Sequence, residues 1–180
     1  MSHKILVVTG SPRKKGNTNL LADAFIEGAK TAGNQVFRFN AGEANINGCL
    51  ACQFCFVNEG VCKQDDDMQQ AYKYLHECDV LVLASPIYFF TVSAQIKAFI
   101  DRMFCGIGKP FAVKATVLLT VQEDKDIAVA DNAVNTYKSI IDYTGWENLG
   151  VISVPNVEGV GAIAGNPKLE DARKLGESIK

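Results

Sequence analysis

Five short apolar runs, each set apart from the next by a stretch of helical periodicity, constrain this chain more than any other feature. Lys4–Val8, Gln35–Phe39, Asp79–Ala84, Lys114–Val121 and Gly150–Val154 read as strands. Asn17–Ala32, Met68–His76, Ser93–Phe104, Ile127–Tyr143 and a closing Lys168–Ile179 read as helices. In the first helix the apolar residues Leu20, Leu21, Ala24, Phe25 and Ala29 recur at three-to-four spacing, and Gly33-Asn34 stops it. Strands alternating with helices predict an α/β fold: a five-stranded parallel sheet with helices on both faces. Right-handed crossovers leave few topologies, and in such sheets ligands sit beyond the carboxyl ends of the strands. The loops after Val8, Ala84 and Val121 are therefore expected to share one site.

At 180 residues the chain is read as a single domain over 1–180, without internal repeats or low-complexity segments. Eighteen basic against 20 acidic side chains leave a net charge of −2, which gives no reason to expect nucleic acid or an anionic membrane as partner. The apolar runs at 5–8 and 80–84 are too short for a signal sequence or a membrane span, so a soluble cytoplasmic protein is expected. In a reducing compartment the six cysteines are not expected to form a disulfide framework.

After the first strand comes Thr9-Gly-Ser-Pro-Arg-Lys-Lys-Gly-Asn-Thr18, and then a helix. A loop entering a helix start offers unpaired N–H groups and the positive end of the helix dipole, which together attract an anion. Ser11, Asn17 and Thr18 add short donors and Arg13 a guanidinium. Asn17 or Thr18 could equally be a plain helix cap. The loop is neither Gly-x-Gly-x-x-Gly nor a P-loop: Gly10 and Gly16 are one residue too far apart, and Asn17 stands where lysine is needed. A monophosphate bound without Mg²⁺ fits it better than a triphosphate.

Ser85-Pro-Ile-Tyr-Phe-Phe90 follows the third strand, and Pro86 is expected to turn the chain out of the sheet there. Tyr88 and Phe89 can offer flat apolar surface to an aromatic ring, or form a buried aromatic cluster.

Gly10-Ser-Pro-Arg-x-x-Gly-Asn-Thr18, with Ser85-Pro-Ile-Tyr-Phe89, Lys97 and Phe99-Ile-Asp-Arg102, resembles the NADPH-dependent FMN reductase and iron–sulfur flavoprotein branch of the flavodoxin-like superfamily. The resemblance covers nearly the whole chain. It implies a flavodoxin-like three-layer sandwich with strand order 2-1-3-4-5, non-covalent FMN, and a homodimer or homotetramer. By that resemblance Ser11, Arg13, Asn17 and Thr18 hold the FMN phosphate, while Pro86, Ile87, Tyr88 and Phe89, with Ser85 beside them, hold the isoalloxazine. The family's third contact has a threonine and glycines after the fourth strand. Thr120-Val-Gln-Glu123 keeps Thr120 and lacks the glycines.

The long segment from 40 to 67 carries Cys49, Cys52, Cys55 and Cys62 in the pattern C-x₂-C-x₂-C-x₆-C. Four thiolates this dense suit an iron–sulfur cluster, structural zinc, or free thiols packed beside the flavin, two of which could form a redox-sensitive disulfide. The spacing resembles the compact motif of iron–sulfur flavoproteins, which implies a four-iron four-sulfur cluster near FMN. Cys78 and Cys105 are read as small buried hydrophobes. Asp65 to Asp67 read as an acid-rich helix start.

Two histidines, neither near the expected site, give no support to a Ser-His-Asp or Cys-His mechanism. The resemblance implies an NAD(P)H-dependent, FMN-containing reductase of a quinone, a flavin or a similar small acceptor. An electron carrier between redox proteins is the alternative, and a cofactor-free binding module is the remaining rival.

Overall fold

The computed structural model describes residues 2–180. In chain order the elements are β1 (Lys4–Thr9), α1 (Asn17–Thr31), β2 (Gln35–Phe39), α2 (Phe54–Val57), α3 (Met68–Leu75), β3 (Val80–Tyr88) and β4 (Thr91–Val92). They continue with α4 (Ala94–Arg102), β5 (Ala115–Val121), α5 (Asp131–Thr144), β6 (Glu147–Val154) and α6 (Pro167–Ser178). Short 3₁₀ turns at Met103–Ile107 and Ile127–Ala130 extend α4 and precede α5.

The five long strands lie in the order β2-β1-β3-β5-β6, all parallel, which is 2-1-3-4-5 when they alone are counted. The period-2 alternation of each strand sends its side chains to two separate cores. Ile5, Val7, Val80, Val82, Val117 and Leu119 face α1 and α6. Leu6, Val8, Leu81, Leu83 and Leu118 face α3, α4 and α5. The three-layer sandwich is the expected one.

The sheet departs from expectation in having a sixth strand. Pro86 does not turn the chain outward. Instead β3 runs on to Tyr88, with Ser85 and Pro86 still in register with Thr120 and Val121 of β5. On the other side β1 ends with Thr9 opposite Ala84, so no strand there needs a donor from Pro86. The chain then reverses through Phe89-Phe90, and Thr91 and Val92 pair antiparallel with Tyr88 and Ile87 as β4. Both turn residues have positive φ, 47° and 70°, as a two-residue hairpin turn demands. Two phenylalanines are poor residues for that conformation, which is why the turn gave no signal in the sequence.

α1 and α6 approach closely through glycine. A Cβ on Gly28 would lie 2.8 Å from the Arg173 carbonyl carbon, and one on Gly176 would lie 2.7 Å from Ala29 N. Among the described residues no helix is long and apolar enough to cross a membrane.

Candidate functional site

The carboxyl ends of β1, β3 and β5 open onto one cleft, bounded by Ser11, Arg13, Gly16, Asn17, Thr18, Pro86–Tyr88, Val121–Glu123 and the 157–160 turn. The three loops expected to converge do so.

The turn after β1 is shaped by its own backbone. Gly10 N donates to Ala84 O at 2.8 Å, tying the turn to β3. Ser11 Oγ accepts from Arg13 N at 3.2 Å, and Gly16 N donates to Arg13 O at 2.8 Å. A Cβ on Gly16 would sit 2.8 Å from Ser11 Oγ, so the turn closes this tightly only around glycine. Gly16 is the N-cap of α1 and no side chain caps the helix. The first-turn N–H groups, with the positive end of the helix dipole, are left for a ligand.

Neither Asn17 nor Thr18 is the helix cap. Asn17 instead reaches across to the loop after β6: its Nδ2 donates to Gly159 O at 2.6 Å and its Oδ1 accepts from Ile163 N at 3.3 Å. Thr18 is buried against the cleft and Arg13 is exposed at its rim. Asn19 was missed from the sequence because it lies beyond the loop, on the helix. It is buried, donates to the carbonyls of Arg13 and Lys14 at 2.8 and 3.3 Å, and accepts from Arg38 Nη2 at 3.0 Å.

On the opposite wall Ile87 is half-buried and Tyr88 is exposed. Phe89 lies outside the cleft at the hairpin tip, 95% exposed. Ser85 and Thr120 are fully buried behind the wall. Ser85 Oγ accepts from Ser93 N at 3.0 Å and donates to Pro86 O at 2.8 Å, while Thr120 Oγ1 bonds Ser153 Oγ at 2.8 Å. Both support the loops instead of lining them. Gln122 does line the cleft. Its Nε2 donates to Asp124 O and Asp126 O at 3.3 and 2.5 Å, which orients the amide and leaves the buried Oε1 with no partner among the described residues. A buried acceptor in that state calls for a ligand donor.

The cysteine segment starts against the turn after β1: Gly42 N donates to Thr9 O at 2.9 Å, and a Cβ on Gly42 would meet Pro12 N at 2.8 Å. Farther on, Cys49, Cys52, Cys55 and Cys62 all line one small cavity, together with Arg102 and Cys105. The loop bends around it through Ala51, Gln53 and Glu59, all at positive φ. Burial, and then the neighbouring Cys62, Cys49 and Cys52, outweigh a backbone hydrogen bond and push the Cys55 thiol up. Cys105 is buried as expected, with its thiol pushed up to about 11 chiefly by burial, but it also faces this cavity. No three or more His, Cys, Asp or Glu side chains among the described residues are grouped so as to hold one metal ion.

Asp66 does more than start α3. Its carboxylate and the Arg102 guanidinium form a fully buried, two-pronged ion pair at 2.6 and 3.1 Å. Burial alone would raise the Asp66 carboxyl; the hydrogen bond and charge of Arg102, with the N–H groups of Asn47 and Met68, bring it below its ordinary value. A wider groove of about 1090 Å³ runs between α4 and α5, and Cys49, Ala51 and Phe104 border both it and the cysteine cavity.

The model of the NADPH-dependent FMN reductase family matches residues 3–146. An iron–sulfur flavoprotein of Archaeoglobus fulgidus is 31% identical over 179 residues, covering 97% of this chain and 76% of the relative. One of Methanosarcina thermophila is 32% identical over 171 residues, 93% of this chain and 85% of its own. Among solved structures, an NAD(P)H:quinone oxidoreductase from Methanothermobacter marburgensis superposes with a TM-score of 0.76 at 13% identity, over 100% of both chains, a likeness of fold. With its turn after β1, its three-loop cleft and these relatives, the chain belongs to the NADPH-dependent FMN reductase family.

Proposed function

We propose that this chain is an NAD(P)H-dependent reductase that holds FMN in the three-loop cleft and reduces a quinone, a flavin or a similar small acceptor. One observation carries the reading: α1 opens uncapped into a cleft whose facing wall is Pro86–Tyr88. FMN, held there, would supply the redox chemistry between nicotinamide and acceptor. The protein's residues bind and orient. Ser11, Arg13 and Thr18, with the N–H groups from Asn17 onward, take the phosphate. Asn17 also pins the 159–163 turn over it. Pro86, Ile87 and Tyr88 flank the ring, and Gln122 Oε1 accepts from a ring N–H. Ser85 and Thr120 brace those loops from behind, and Phe89 stands beyond the cleft at the hairpin tip. The buried polar cradle fits the group: an orphaned acceptor, an uncapped helix start, and a turn that only glycine closes.

We assign Cys49, Cys52, Cys55 and Cys62 to a four-iron four-sulfur cluster. All four face one cavity, and relatives at 31% and 32% identity bear the name iron–sulfur flavoprotein. A single zinc needs every sulfur about 2.3 Å from one point. A cluster spreads its thiolates over separate irons, and a looser arrangement serves it. Because the cysteine cavity borders the groove between α4 and α5, electron exchange with a partner protein there is the second reading. The same groove, with Tyr143 74% exposed, is the face we assign to self-association as a homodimer or homotetramer. A cytoplasmic location accords with free cysteines.

The test is the visible spectrum of anaerobically purified protein, followed by NADH and NADPH titrations. Two flavin bands and a broad shoulder bleached by dithionite are expected. A colourless protein whose spectrum ignores added FMN would sink the reductase. A flavin-containing protein that oxidises NAD(P)H slowly, but passes electrons to a redox protein, would favour the carrier.

A further inference from the structure

Arg102 carries five N–H donors, and its surroundings use four. Nη1 donates to Asp66 Oδ2 at 2.6 Å and to Asn47 O at 3.0 Å. Nη2 donates to Asp66 Oδ1 at 3.1 Å and to Cys62 Sγ at 3.4 Å. The fifth, Nε–H, is buried with no partner among the described residues. A guanidinium is a rigid planar fork. Asp66 occupies the Nη1–Nη2 edge, so the Nη2 hydrogen reaching Cys62 lies on the other edge, the one shared with Nε. The orphaned donor and the bond to Cys62 therefore lie on one edge of the fork, and Arg102 and Cys62 both line the cavity of Cys49, Cys52 and Cys55. Asp66, fastened by the N–H groups of Asn47 and Met68 at 3.0 and 3.1 Å, keeps the fork from turning. The charged residues lining that cavity are Lys63 and Arg102, with no carboxylate among them. A buried, unpartnered, charged donor is costly unless a ligand acceptor meets it.

We propose that the Nε–Nη2 edge of Arg102 is the positioning edge for the sulfur centre in this cavity, donating to Cys62 Sγ and to a second sulfur of the centre. This rests on the cluster reading above. The N–H groups and the positive charge stabilise the extra negative charge of the reduced centre, and so raise its potential.

The test uses the full chain, anaerobically loaded with ferrous iron and sulfide, as wild type and as Arg102→Lys. Lysine keeps the charge beside Asp66 and loses the fork. Iron, sulfide and FMN contents should match wild type, while the centre's midpoint falls. At the wild-type midpoint the reduced-to-oxidised ratio should drop about tenfold, equivalent to ~59 mV for one electron. The flavin midpoint should not move. An iron-loaded R102K with an unchanged midpoint overturns the inference. Where R102K loses FMN, and with it the fold, wild-type protein labelled with ¹⁵N in its arginine guanidinium groups decides. Coupling of an arginine nitrogen to the reduced centre in pulsed EPR is expected, and its absence overturns the inference. A wild-type chain that takes up no iron overturns the cluster reading and this inference with it, before any variant is made.

Discussion

The side-chain amide of Asn19 donates to the carbonyl oxygen of Arg13 across 2.8 Å, holding the turn after β1 from behind while its ligand face stays open. That bond spans from the first turn of α1 back over the loop, and Arg38 fixes the same amide at 3.0 Å. Replacing Asn19 with Ala should loosen the turn without removing any group that faces the cleft. A net loss of ~1–1.5 kcal/mol for a hydrogen bond predicts roughly tenfold weaker FMN binding, read by fluorescence titration of apoprotein.

Arg13 is exposed at the rim, so its contribution should be a charge-assisted contact that salt screens. Arg13→Gln should weaken FMN about tenfold at low ionic strength, and the gap from wild type should narrow as salt rises. Riboflavin, which lacks the phosphate, should bind both forms equally. A gap independent of salt would move Arg13 out of the phosphate site.

The hairpin tip trades stability for exposed aromatic surface. Phe89 and Phe90 sit at φ 47° and 70°, a region costly for bulky residues, and both are exposed. The double change Phe89→Asn, Phe90→Gly supplies the residues this turn prefers. It should raise Tm by a few degrees, about 1 kcal/mol or more, and leave FMN affinity unchanged. The KM for an aromatic acceptor should rise, since the two exposed rings follow directly on Tyr88, which lines the cleft. A destabilised variant would show that the rings are held by contacts the hairpin does not reveal.

Breaking the buried pair of Asp66 and Arg102 leaves one charge unmatched, at a cost of ~3–5 kcal/mol. Asp66→Asn should therefore lower Tm steeply near neutral pH. The folded Asp66 carboxyl lies below its ordinary 3.8, so the pair's stabilisation is complete above that value and fades as pH falls through the lower folded value. The Tm difference between D66N and wild type should hold from pH 7 to about 5 and shrink in more acidic buffers.

Gly176→Ala brings a Cβ to within 2.7 Å of Ala29 N, a backbone atom that cannot swing aside. The separation of α1 from α6 must then increase, at ~1–3 kcal/mol for overpacking. Thermal unfolding should report that loss with FMN affinity reduced only slightly, because α1's amino terminus lies at the opposite end of the helix from Gly28 and Ala29.

The architecture and the location of the cleft were legible in the residues themselves. Alternation of apolar strands with periodic helices dictates a two-faced parallel sheet, and the turn from Gly10 to Thr18 announces a helix start at the edge of that sheet's cleft. Those signals are local, arising from spacing along one stretch of chain. What the sequence could not disclose depends on segments far apart meeting in space. Asn17 as a latch on the 159–163 turn, Ser85 and Thr120 as buried braces, and Asp66 paired with Arg102 beneath Cys62 are such meetings. A polar side chain's role is set by the partner it finds, and only the tertiary fold chooses that partner. The Phe89-Phe90 turn belongs with them: its conformation is imposed by the pairing of β3 with β4 against the preference of its own residues.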